Sequence, residues 1–182
     1  SQCPCCVPVV ELPSLGPGVL AHMAAHFNFD SRTNAASEPC GLCLQLSPHC
    51  IFRLKKGKGA NSGVQIDYEK STCANLFTFS YSVAPSSTSS SPCSNVPILC
   101  PWCLKSEPAV WQYNMPHHVK SKHSHVSLRE NEDMWKIGNS EKQELKKIWD
   151  QCHKIKKTQK GKKSSMPSLI ISAVHSSHYM LW

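Results

Sequence analysis

Cys100-Pro101-Trp102-Cys103 is followed, after fourteen intervening residues, by His118 and then by His123. Two thiols two residues apart and two imidazoles shortly downstream are the donors that a tetrahedral zinc ion takes. The residues between them support one local plan. Cys100 and Cys103 fit a tight turn. Ala109-Val110-Trp111-Gln112-Tyr113 is rich in β-branched and aromatic residues and reads as a strand. Asn114 is placed to cap a helix from about Met115 to His123, with Pro116 in its first turn, where a missing N–H costs nothing. Met115 precedes His118 by three residues and is expected to pack under the metal beside Trp111.

Knuckle, strand and helix together resemble the Cys2His2 zinc finger, with Cys100, Cys103, His118 and His123 as its ligands. Residues 1–30 repeat the plan: Cys3 and Cys6, a strand from Val7 to Leu12 interrupted by Pro8, then His22 and His26 one turn apart on a helix opened by Pro17. Both flanking modules are therefore expected to be ββα-like fingers. Residues 31–39 read as a linker.

The middle module, residues 40–95, opens on a third knuckle, Cys40-Gly41-Leu42-Cys43, with no histidine pair after it. Strands are predicted at Ile51 to Lys55, Val64 to Tyr68 and Leu76 to Val83, the last from clean alternation of apolar and polar residues. Strands this short bury little alone. A four-thiolate site of Cys40, Cys43, Cys73 and Cys93 would tie them together. His49 and Cys50 are rival ligands, Cys50 in place of Cys73 or Cys93. The Lys56–Gly63 stretch lacks the Gly-Lys-Ser/Thr ending and following helix of a phosphate cradle, and reads as a basic hairpin turn. Residues 85–92 read as a Ser-rich loop.

The eleven cysteines are an odd number, and two of the three Cys-x-x-Cys pairs have paired histidines downstream. Both facts favour zinc in a reducing compartment over a disulfide framework. The longest apolar runs fall well short of the ~18 residues of a membrane span. The net charge of +8 is uneven: residues 1–138 hold 11 Lys/Arg against 9 Asp/Glu, and residues 139–182 hold 9 Lys against 3 acids. A capping box at Ser140 and Gln143 introduces a helix over 141–157, with Leu145, Ile148, Trp149, Cys152 and Ile155 on one face. Cys152 reads as an apolar position there. Residues 126–163 are thus a linker and a basic amphipathic helix, and 164–182 are expected to be disordered.

Beyond the fingers, the chain resembles a group of uncharacterised fungal zinc-finger proteins associated with mobile elements. The residues behind this are Pro39-Cys40-Gly41-Leu42-Cys43, Leu54-Lys55-Lys56-Gly57-Lys58-Gly59, Ser91-Pro92-Cys93-Ser94-Asn95-Val96-Pro97 and Trp111-Gln112-Tyr113-Asn114-Met115-Pro116. The resemblance spans residues 3–125 and implies an array of zinc modules with a DNA-linked, nuclear role.

The expected fold class is a small zinc-stapled α+β protein: two ββα-like fingers flanking a β-rich Cys-containing module, then a basic helical tail. The expected function is non-catalytic. The complete ligand sets leave no open metal position, and Met23 stands where a zinc hydrolase of the His-Glu-x-x-His type has its carboxylate. No small-molecule substrate and no membrane are expected. Leu15, Pro17, Gly18 and Ala21 of the first module cannot pair with base edges. Contacts to DNA or RNA would be to phosphates, through Lys120, Lys122, Lys154, Lys156, Lys157, Lys160, Lys162 and Lys163. The competing class is a protein-interaction scaffold using the apolar face of helix 141–157.

Overall fold

The computed structural model describes residues 2–3, 5–12, 16–46, 48–58, 63–79, 81, 84, 86–88 and 91–160, with only the backbone described over 153–160. Lys162, Lys163 and the disorder expected for 164–182 lie outside the described residues, as do 59–62 of the basic turn and parts of the Ser-rich loop. The side chains of Lys154, Lys156, Lys157 and Lys160 lie outside them too. Among the described residues the α-helices are α1 (Gly16–Phe29), α2 (Met115–Lys122) and α3 (Asn139–Lys160). The strands are β1 (Leu54–Lys56), β2 (Val64–Ile66), β3 (Pro97–Ile98) and β4 (Val110–Trp111). They pair as two antiparallel ribbons, β1 with β2 and β3 with β4, in the registers Lys55–Gln65 and Ile98–Val110. The result is a small α+β fold with little regular sheet.

The β3–β4 ribbon is shared by two cores. Successive strand residues point to opposite faces. Val110 packs with Cys100, Met115, Val119 and Trp135, whereas Trp111 joins the main core and meets Phe52 edge-on at 4.9 Å. Met115 thus packs in the cluster that holds Cys100 and Cys103, whereas Trp111 belongs to the main core. The third knuckle lies flush on that same ring: a Cβ at Gly41 would sit 2.4 Å from Trp111 Cε3. Close approach, rather than the tight turn alone, accounts for the glycine.

Helix α1 is buried along its length from Val19 to His26. Leu20, Ala21 and Ala24 face the main core, and Val19 and Met23 face a second cluster with Cys3, Cys6 and Leu12. Helix α3 packs on α1, placing fully buried Leu145 in the main core and Trp149 edge-on to His26 at 5.3 Å. Leu145, Ile148 and Trp149, the described apolar residues of that face, thus pack wholly or partly against the chain's own core and α1. Helix α3 begins at Asn139, ahead of the expected start, so Ser140 lies in its first turn. Glu141 turns inward, where Oε1 accepts from Ser94 N at 2.6 Å and from the Tyr113 hydroxyl.

Two strand expectations change. Val7 to Leu12 forms only an isolated bridge, Gln2 with Glu11, and Val7 and Val9 point to solvent. Cys3 N also donates to Val10 O at 2.9 Å, so among the described residues the first knuckle is closed by a single bridge where the last has the β3–β4 ribbon. The two modules share ligand order but not the same surrounding elements. The described residues of Leu76 to Val83 form no strand. Phe79 N donates to the Tyr68 hydroxyl at 3.2 Å, so a side chain takes the place of a neighbouring strand. The alternation there instead reflects Phe77 and Phe79 packing against Gly16.

Candidate metal centres

Three Cys/His sets have ligand atoms that all lie within 4.8 Å of one another: Cys3, Cys6, His22 and His26; Cys40, Cys43, Cys50 and Cys73; Cys100, Cys103, His118 and His123. A tetrahedral zinc ion with bonds of about 2.3 Å to sulfur and 2.0 Å to nitrogen sets S···S edges near ~3.8 Å and S···N edges near ~3.5 Å. In the first set Cys3 Sγ is 3.5 Å from His26 Nε2, and Cys6 Sγ is 3.5 Å from His22 Nε2 and 3.1 Å from His26 Nε2. In the second, Cys40–Cys73 and Cys43–Cys73 are 3.6 Å apart and Cys43–Cys50 3.3 Å. In the third, Cys103 Sγ is 3.2 Å from both His118 Nε2 and His123 Nε2. No Cys is in a disulfide. The donor chemistry and the distances fit zinc.

The middle set differs from the expected Cys40, Cys43, Cys73 and Cys93. Cys50 takes the fourth position. An isolated bridge from Ile51 to Thr72 brings the residues just after Cys50 beside those just before Cys73, so one pairing delivers both thiols. Cys93 lies in the main core, where burial pushes its thiol up to about 12. A neutral thiol there behaves as a small apolar side chain. His49 belongs to none of the three sets.

The surroundings of the ligands are built for metal. Metal-binding imidazoles are normally held by a partner on the other ring nitrogen. His26 Nδ1 lies 3.0 Å from Asp30 Oδ2, and His118 Nδ1 lies 3.2 and 3.3 Å from the two oxygens of Glu38. Both rings therefore turn Nε2 toward the thiols. The Arg32 guanidinium grips Asp30 through two nitrogens and holds its carboxyl well below the usual range. Arg32 also donates to Cys5 O at 2.8 Å, tying α1 back to the first knuckle. His22 Nδ1 faces Cys152 Sγ of α3 at 3.9 Å. In the middle set Leu42 N and Asn75 N each donate to a sulfur, Cys40 and Cys73, at 3.4 Å. The hydrogen bond from Cys5 draws the Cys3 thiol down and that from Cys40 draws Cys43 down, whereas burial raises Cys6 and Cys50 and the hydrogen bond with Cys43 raises Cys40. The thiolate is the form that binds metal.

The 31–39 stretch does more than link. Glu38, at φ 49°, turns the chain so that its carboxylate meets His118 while Cys40 enters the next knuckle. Asn114, expected as a cap, makes no capping bond; its Nδ2 donates to Pro39 O at 2.8 Å. These partners were missed in the sequence. Asp30 repeats the four-residue spacing of His22 and His26 and was legible. Glu38 lies 80 residues from His118, and no local pattern marks it.

Replacing Glu38 by Ala is expected to weaken metal at the third centre about 10- to 100-fold while leaving the other two unchanged, as loss of such a partner usually does. Competition with a zinc-selective chelator, read as three successive losses, measures it.

Among the described residues no helix is long and apolar enough to cross a membrane. No family model, curated protein or solved structure matches the chain. The resemblance to fungal zinc-finger proteins therefore rests on the residues quoted for it. Fold and ligand sets together define a small α+β protein with Cys/His clusters positioned to bind metal, zinc by their donor chemistry.

Proposed function

We propose that the chain is a non-catalytic, zinc-stapled nuclear protein that binds DNA through sequence-independent phosphate contacts. The observation that carries this reading is the face of α2. His117, Lys120, Ser121 and Lys122 are exposed beside the buried His118 and Val119. The third centre thus presents a short cationic helix on a rigid support. Helix α1 cannot do the same, because Val19 to His26 is buried. A finger that reads bases lays its helix in the major groove, so the first centre serves the fold. The lysines between 154 and 163 extend the positive charge and suit a nuclear-localisation signal. The resemblance to mobile-element-associated proteins supports the same reading. Four-ligand sets, with Asp30 and Glu38 engaged on imidazoles, support a structural rather than hydrolytic metal.

Binding of the zinc-loaded chain to a duplex DNA is expected to weaken steeply with salt. A Lys120→Ala/Lys122→Ala variant is expected to bind more weakly on every sequence and to reduce the slope of log affinity against log salt by about 1 to 2. Fluorescence anisotropy over a salt series measures both. An absence of binding at low salt contradicts the proposal and favours a protein-interaction scaffold. Deleting residues 139–182 is unsuitable as a test, since it removes Leu145 from the core.

A further inference from the structure

Eight of the eleven cysteines belong to the three metal sets, which leaves Cys5, Cys93 and Cys152. Two of these three lie at the first centre. Cys5 stands between the ligands Cys3 and Cys6 and hydrogen-bonds Cys3. Cys152 reaches the centre from α3: its sulfur lies 3.9 Å from His22 Nδ1 and shares a hydrogen bond with Cys6. Trp149, one turn earlier on α3, meets His26 edge-on, so one helix face touches both imidazoles of the set. Cys93 has no such place. It lies in the main core beside Asn95, Tyr113 and Glu141. At the second centre Cys40 and Cys73 accept from backbone N–H groups, which carry no redox chemistry.

The arrangement at the first centre combines a reachable thiol with a shielded nucleophile. Cys152 is half-buried, whereas Cys6 is 7% exposed. An oxidant arriving from solvent therefore meets Cys152 first. Cys6 binds metal as a thiolate, and the thiolate is the nucleophilic form of sulfur. A sulfenic acid formed beside such a group condenses with it to a disulfide.

We propose that Cys152 and Cys6 are a peroxide-oxidisable pair, and that this pair makes the first zinc centre the redox-labile one. The Cys152 sulfur attacks one peroxide oxygen, the O–O bond breaks, and the departing hydroxide takes the Cys152 proton and leaves as water. The Cys6 thiolate then attacks the sulfur of the Cys152 sulfenic acid. The S–S bond forms, the S–O bond breaks, and the second hydroxide leaves as water with a proton from solvent. Two electrons pass from the two sulfurs to hydrogen peroxide. The ion keeps Cys3, His22 and His26, one ligand short of a closed tetrahedral set, and is released. The disulfide ties α3 to the first knuckle.

The test treats the full zinc-loaded chain with a small excess of hydrogen peroxide. A zinc indicator follows release, and peptide mass spectrometry maps the disulfides. One zinc per chain is expected to leave in step with a Cys6–Cys152 disulfide, and a dithiol with added zinc is expected to restore it. Cys152→Ala keeps all four ligands and is expected to slow this first release at least ~10-fold. Cys5→Ala is expected to release zinc as the parent chain does. Four results would overturn the proposal: a first disulfide that lacks Cys152, first loss of zinc from another centre, a Cys6–Cys152 disulfide with every zinc retained, or equal release rates in Cys152→Ala and the parent chain.

Discussion

Stripping zinc from the chain is expected to abolish its folded state rather than loosen it. Each metal set is part of the packing it stabilises. Cys3 and Cys6 sit in one apolar cluster, Cys40 and Cys43 in the main core, and Cys100 in the third cluster. The ribbons between them are two or three residues per strand, too short to hold themselves together. A structural zinc site contributes about 10–16 kcal/mol at neutral pH, against a net stability of about 5–15 kcal/mol for a whole domain. Loss of the ions therefore outweighs what packing alone retains. Near-ultraviolet circular dichroism, which follows buried Trp111 and Trp135, should collapse on chelation and return when zinc is restored. A chelated chain that keeps its near-ultraviolet signal would show that the clusters are incidental to the fold.

The second large effect separates two cysteines. Cys50→Ser should remove one zinc and destabilise the chain by several kcal/mol, because the middle centre loses a ligand beside two ribbons it anchors. Cys93→Ser should keep every zinc. Its cost is that of placing a hydroxyl in an apolar pocket, about 1–3 kcal/mol. Zinc stoichiometry distinguishes the variants even where both lower the melting temperature. Loss of one zinc in Cys93→Ser, with none in Cys50→Ser, would restore the ligand set expected from spacing.

That reversal marks where local pattern stops being informative. The Cys-x-x-Cys knuckles and the His pairs are short-range features, and the structure brings together all eight ligands of the outer sets as spacing implied. The fourth thiol of the middle set depends on a long-range pairing, Ile51 with Thr72, that no local periodicity encodes. The same holds for α3. Its apolar face was legible, but a face of Leu145, Ile148 and Trp149 does not say whether it covers a partner or the chain's own α1. Glu141 shows the limit from the other side. It reads as an ordinary first-turn acid, yet it is buried and joins Ser94 and Tyr113. Alternation misled at Leu76 to Val83 because burial, not strand pairing, set the pattern.

The central claim is that three complete zinc centres hold this fold together. Native mass spectrometry of the purified chain, recorded before and after chelation, counts them directly. Three bound zinc ions with all cysteines reduced, released together with loss of the compact charge-state distribution, is the predicted result. Fewer than three ions, or cysteines joined as disulfides in place of metal, would contradict it.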